Sequence, residues 1–101
     1  MEHQLKIIPK YFEDVVLNNK NFEIRKDDRD FKVNDILVLR EYDETKKQYT
    51  GCEATCKVIY LLKHEDFPQG IKEGYCVMGI KLLYYEVIQD CTPEDFANIS
   101  R

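Results

Sequence analysis

The sequence predicts an α+β domain built on a mixed sheet of about five strands, closed or nearly closed into a small barrel, with two flanking helices. Apolar segments of strand length recur along the chain, and only two stretches show helical signals. The 101 residues suffice for one core but not for two. We therefore treat residues 1–101 as a single domain.

The first half of the chain is predicted to form two strands around a helix, followed by a buried strand. A short strand over Leu5–Ile8 leads to Pro9, which suits the first turn of a helix because its missing N–H has no partner there. Apolar residues at helical spacing continue this helix to Leu17. Asn21–Lys26 alternates apolar and charged residues, as a half-buried strand does. Ile36–Tyr42, apolar over its first four residues, predicts a strand buried on both faces.

The second half is predicted to contain two long strands separated by an irregular loop. Asp43–Gly51 is polar and predicts a hairpin tip, and Ala54–Leu62 is rich in the β-branched and aromatic residues that favour strands. Lys63–Gly74 is the longest irregular stretch, and loops of this length are often functional. Tyr75–Val87 predicts a last strand, in which Gly79 indicates a bulge or bend.

Turns and helix ends are predicted to depend on Asn and Asp, because the chain has only 4 Gly and 3 Pro. Asn tolerates left-handed backbone angles. Asn18 therefore ends the first helix, and Asn34 forms a turn before the buried strand. A second helix is predicted to begin at Thr92, which is followed by a proline and two acidic residues.

The charge and hydropathy of the chain exclude several classes of protein. A net charge of −4 argues against broad binding of duplex nucleic acid, because such domains are usually basic. A local pocket for one nucleotide or a short single strand stays open. No apolar run approaches the roughly 20 residues of a membrane span, and the N-terminus lacks the basic-then-apolar pattern of a signal peptide. We expect a cytoplasmic protein without membrane contact.

The four cysteines do not form a metal-binding pattern. Cys52 and Cys56 are close in sequence, but no second close pair follows them. The cysteines are therefore predicted to be small buried or half-buried hydrophobic residues. We expect neither a metal nor a cofactor.

The charged strand around residue 23 is the main candidate for a site. Its alternation places Phe22 and Ile24 on one face, predicted to be buried, and Glu23 and Arg25 on the other, predicted to face outward. Residues two apart on a strand lie roughly 7 Å apart, so Glu23 and Arg25 can reach one ligand. Two interpretations follow: a solvated charged face, or a polar site that suits a nucleobase with its ribose or phosphate.

The segment Asn18–Arg25 resembles the G-x-K-x-x-E-x-R motif of ASCH domains, which belong to the PUA-like superfamily. Lys20, Glu23 and Arg25 match its charged positions. The resemblance extends over about His3 to Tyr42. This segment is similar to a family of small bacterial and phage ASCH-like proteins. It implies a PUA-like barrel with a cleft between the barrel and its helices. Asn replaces the usual glycine at two turn positions, which are residues 18 and 34.

The resemblance implies binding of RNA, a nucleotide or a modified nucleoside in that cleft. Tyr42, Tyr49 or Tyr75 would stack on a base, because every base offers a flat face. Glu23 would orient Arg25 or accept a hydrogen bond from a base. The residues expected to contact the ligand are Lys20, Glu23, Arg25, Lys26, Arg29 and Tyr42.

Two alternatives stay open. Some small ASCH proteins are amidohydrolases that act on N4-acetylcytidine through a Lys, a Thr and a distant Glu. Here Lys20 matches the Lys, Glu23 occupies the Thr position, and Glu65 or Glu73 could supply the distant carboxylate. In that case Lys20 and Glu23 would be catalytic, with Glu23 as a base for water. The other alternative is a protein-interaction or regulatory domain without a nucleotide ligand.

Overall fold

A computed structural model describes residues 1–86 as one five-stranded mixed sheet with one α-helix and one 3₁₀ turn. The elements are β1 (Glu2–Ile7), α1 (Pro9–Val16), β2 (Phe22–Lys26), β3 (Ile36–Asp43), β4 (Gln48–Lys63), the 3₁₀ turn (His64–Asp66) and β5 (Tyr75–Glu86). The predicted α+β class and the number of strands are confirmed. The helix predicted from Thr92 lies outside the described residues. Within residues 1–86, no helix is long and apolar enough to cross a membrane.

The sheet curls into a half-barrel in the order β1-β3-β4-β5-β2. β1 pairs in parallel with β3, and all other pairs are antiparallel. β1 and β2 are therefore the two edges of the sheet. The helix α1 packs against β3, β4 and β5 with Phe12 and Val15 fully buried, because these two apolar residues share one helical face.

The core lies on the inner, concave side of the sheet. Leu37 and Leu39 of β3 are fully buried there, beside three cysteines at positions 52, 56 and 76. The prediction that the cysteines are small buried hydrophobic residues is confirmed for Cys56 and Cys76, which are free thiols, whereas Cys52 is buried but disulfide-bonded. Burial raises the pKa of Cys56 to about 12 and that of Cys76 to about 11, so both thiols stay protonated at neutral pH. Within residues 1–86, no three potential metal ligands cluster.

Two asparagines hold the left-handed backbone angles that the sequence predicts. Asn18 has φ 62° directly after the helix, and its N–H donates to the Val15 carbonyl at 3.0 Å. Asn34 has φ 80° and its N–H donates to the Val58 carbonyl at 2.7 Å. Both positions favour glycine, and Asn is the residue that replaces it at least cost.

The hairpin between β3 and β4 is shorter than predicted. β3 continues to Asp43 and β4 begins at Gln48, so only four residues form the tip. The Asp43 carboxylate accepts the N–H groups of Thr45 and Lys46 at 2.9 and 3.1 Å, which closes the turn early. A polar composition does not distinguish such a capped turn from an open loop.

The bulge indicated by Gly79 lies on the neighbouring strand. Val58 pairs with Ile80 and Tyr60 with Gly79, so Ile59 is the extra residue of β4. A Cβ on Gly79 would lie 3.2 Å from the Cβ of Tyr60. Such a contact is tighter than usual, so glycine at this position gives room to the displaced residue on the partner strand.

A buried polar pair anchors β1 to the turn before β3. His3 Nε2 lies 2.8 Å from Asp35 Oδ2, which also accepts the Lys32 N–H at 3.0 Å. The His3 ring meets Phe31 edge-on, with the ring centroids 4.7 Å apart. Burial alone would raise the pKa of Asp35, but the hydrogen bonds with His3 and Lys32 outweigh it and hold the pKa below its ordinary value of 3.8.

We predict that Asp35→Asn lowers the free energy of unfolding at pH 7 by about 1–3 kcal/mol, because hydrogen bonds to a buried charged acceptor are lost. A carboxylate with a depressed pKa stabilises the fold above its unfolded pKa and loses this effect as pH falls through the folded pKa. The difference between wild type and variant in urea unfolding should therefore shrink as the pH falls below about 4. Asp28→Asn, at an exposed position, is the control. A difference that does not change with pH would contradict this role of Asp35.

Candidate ligand-binding cleft

The two faces of β2 are oriented opposite to the prediction. Glu23 is only 3% exposed, whereas Phe22 is 46% and Ile24 59% exposed. The expectation that Phe22 and Ile24 are buried and that Glu23 and Arg25 face outward is therefore wrong. The reason is that partners neutralise Glu23, so that this carboxylate can be buried while the apolar residues of an edge strand face solvent.

Glu23 is held by cations on both of its oxygens. Lys20 Nζ contacts Oε2, and Arg25 approaches Oε1 with Nε at 2.8 Å and Nη2 at 2.7 Å. The Asn18 turn after α1 brings Lys20 back toward β2. Arg25 lies two residues along the strand from Glu23, on the same face. The structure thus brings together the three charged residues of the motif in one cluster, which we call the Lys20–Glu23–Arg25 cluster.

Two arginines connect the edges of the half-barrel. Arg25 Nη2 donates to the Lys6 carbonyl at 2.8 Å, and Arg29 Nη1 donates to the Gln4 carbonyl at 2.9 Å. Both acceptors belong to β1, the edge strand opposite β2 in the sheet order. Side-chain donors thus satisfy two backbone carbonyls that a closed barrel would pair with a strand.

A cleft of about 740 Å³ lies between α1, the end of β1 and β2. Lys6, Lys20 and Arg25 line it together with Glu23 and Asp14. Lys20 Nζ donates to Glu23 and to the Phe22 carbonyl at 2.7 Å, which leaves one of its three donors. Arg25 Nη1 donates to no acceptor within residues 1–86. The cleft therefore offers N–H donors on cations that are already held in position.

Two exposed rings flank the ammonium group of Lys20. Its Nζ lies 5.7 Å from the ring centroid of Tyr11 and 5.0 Å from that of Phe22, and both rings belong to residues that line the cleft. Tyr11 is 45% exposed. The sequence interpretation missed both rings, because it placed Phe22 on the buried face of β2 and used the apolar spacing of α1 only to predict a helix. The neighbouring Phe12 fills the core from α1, which leaves Tyr11 at the margin of the apolar face.

Three of the six residues expected to contact a ligand do not line this cleft. Lys26 is exposed on β2, and Arg29 is engaged with the Gln4 carbonyl. Tyr42 packs edge-on against Tyr49, and the Nζ of Lys6 lies 3.9 Å from the centroid of its ring. Tyr42 therefore does not line the cleft itself but contacts Lys6, which does. The two acidic residues considered for catalysis, at positions 65 and 73, do not line it either.

The fold and the site define a small α+β protein with a polar, partly aromatic cleft between a helix and the two edges of a half-barrel sheet. The chain belongs to the family described as a domain of unknown function, DUF3850, whose model matches residues 2–80. The matched range contains α1, both edge strands and every residue that lines the cleft. No curated protein matches the chain.

We predict that Glu23→Gln lowers the free energy of unfolding by about 3 kcal/mol, because it leaves Lys20 and Arg25 side by side without their shared counter-charge. Glu53→Gln is the matched control. Its carboxylate pairs with Arg40 at 3.2 Å, but both side chains are about one-third exposed, so the expected loss is below about 1 kcal/mol. Urea unfolding at pH 7 measures both variants. Equal losses would show that the buried cluster contributes no more than a surface ion pair.

Proposed function

We propose that this chain is an RNA- or nucleotide-binding module of the ASCH type with a PUA-like fold, and that the cleft beside the Lys20–Glu23–Arg25 cluster holds the ligand. The observation that supports this proposal most is the position of Lys20. Its ammonium group retains a donor for the ligand and lies between two exposed aromatic rings, Tyr11 and Phe22. Cationic donors beside aromatic faces are what a nucleotide requires, because it combines a negative phosphate with a flat base.

Each part of a nucleotide has a counterpart in the cleft. The base stacks on Tyr11 or Phe22, and the phosphate or a base carbonyl accepts from Lys20, Arg25 and Lys6. Glu23 makes no ligand contact in this arrangement and instead holds two of the cations in place. A volume of about 740 Å³ lies within the range of small-molecule sites in proteins.

Binding is favoured over hydrolysis by the groups that line the cleft. Both oxygens of Glu23 accept hydrogen bonds from Lys20 or Arg25, and this carboxylate holds the two cations in position. None of the residues that line the cleft within the described part of the chain is Ser, Thr, Cys or His. The amidohydrolase alternative therefore has no hydroxyl, thiol or imidazole of these residue types in the cleft to act as a nucleophile.

We predict that nucleoside 5′-monophosphates and a labelled single-stranded RNA bind the purified protein at low salt. Lys20→Ala and Tyr11→Ala should each weaken binding about tenfold, through loss of a charged donor and of a stacking face respectively. Lys46→Ala, on the exposed hairpin tip, is the control with the same loss of charge. Titration by fluorescence anisotropy and calorimetry gives the affinities.

Lys20→Ala removes a contact of the buried Glu23 and can therefore destabilise the fold. Tyr11→Ala leaves the contacts of Glu23 intact, so its effect on binding is not explained by loss of folding. Absence of binding by the folded wild type, or equal affinities of the two cleft variants and the Lys46 control, would refute the proposal. Incubation with N4-acetylcytidine, followed by chromatography, tests hydrolysis. Release of acetate that depends on Lys20 would contradict the proposal of a binding module and support the amidohydrolase alternative.

A further inference from the structure

The convex side of β2, β5 and β4 carries an exposed apolar and aromatic surface, which we call the outer face. It includes Phe22 and Ile24 of β2, and Tyr60 of β4, which is 64% exposed. The intervening residues of β5 are Val77 and Gly79, which pair with Ile24 and Phe22 respectively. Exposed apolar side chains grouped on one sheet face are typical of an interaction surface.

Gly79 separates the two aromatic residues of the outer face. It pairs with Phe22 on one side and with Tyr60 on the other, so the three residues form one row across three strands. At the usual strand spacing, the backbones of Phe22 and Tyr60 lie about 10 Å apart. The missing side chain of Gly79 leaves both rings accessible from the space between them. Phe22 and Ile24 also line the cleft, so the outer face is continuous with the cleft along β2.

Lysines border this row without acidic partners. Lys57 of β4 is directly opposite Lys81 of β5, and Lys26 lies at the end of β2. None of the three forms an ion pair with any residue from 1 to 86. Like charges directly opposite each other destabilise a sheet. In a chain with a net charge of −4, this local excess of cations is complementary to an anionic ligand.

We propose that a single-stranded nucleic acid leaves the cleft at Phe22 and crosses the outer face, with a base stacked on Tyr60 and phosphates near Lys57 and Lys81. This inference rests on the proposed function and extends it, because it names a polymer rather than a free nucleotide as the ligand. Aromatic residues on an exposed sheet face bind single strands by stacking, and neighbouring cations follow the backbone.

The test compares cytidine 5′-monophosphate with a labelled ten-nucleotide RNA of mixed sequence. We expect the RNA to bind at least about tenfold more tightly than the mononucleotide. Tyr60→Ala should weaken RNA binding about tenfold and leave mononucleotide binding unchanged, because Tyr60 lies outside the cleft. The double variant K57Q/K81Q should reduce the slope of log affinity against log salt by about 1.4 in magnitude, the value for two phosphate contacts on a single strand. The double variant K32Q/K46Q removes the same charge elsewhere and should leave the slope unchanged.

The outcomes separate the two proposals. Mononucleotide binding with no tighter RNA binding, or RNA affinity that is independent of Tyr60, would overturn the proposal that RNA binds the outer face. The proposal for the cleft would remain intact. RNA binding that depends on Tyr60 but not on Lys20 would support the outer face and contradict the cleft. Failure of both ligands to bind, with a concentration-dependent dimer in sedimentation, would overturn both and assign the outer face to a second copy of the chain.

Discussion

The buried carboxylate of Glu23 is the contact on which the rest of the site depends. It is 3% exposed and accepts from Lys20 on one oxygen and from Arg25 on the other. Arg25 in turn donates to the Lys6 carbonyl on the opposite edge of the half-barrel. A single negative charge therefore links the turn after α1, the strand β2 and the strand β1. Since these are the elements that surround the cleft, the carboxylate determines the shape of the cleft without contacting a ligand itself.

The same contact explains the exposed apolar surface. A strand has two faces, so turning Glu23 and Arg25 inward turns Phe22 and Ile24 outward. Phe22 then lies beside Lys20 at the cleft and in one row with Tyr60 on the outer face. An edge strand with exposed apolar residues is a liability for aggregation unless these residues are used. A cleft and a neighbouring exposed apolar surface are thus two consequences of one buried charge.

Local features of the fold could be predicted from the sequence, because they depend on patterns within short segments. The strands follow from apolar periodicity, and the left-handed angles of Asn18 and Asn34 could be predicted because Asn tolerates such angles at turns. The spacing of Lys20, Glu23 and Arg25 indicated that they share one site. The buried face of β2 could not be predicted, because alternation of apolar and charged residues defines two faces but does not say which of them is turned inward. The contacts of Arg25 and Arg29 with β1 depend on the order of the strands, which short segments do not encode.

The charge balance of the cleft limits the kind of ligand that it can select. Three cations and two carboxylates line it, so its net charge is +1 within a chain of net charge −4. Beyond the Debye length of about 8 Å at physiological salt, the field of the cleft is largely screened. For the proposed nucleic-acid ligand, affinity would therefore come from direct donors and from stacking rather than from attraction over long distances. These are short-range interactions that act on individual bases and phosphates, and they favour single strands, whose bases are accessible, over duplexes.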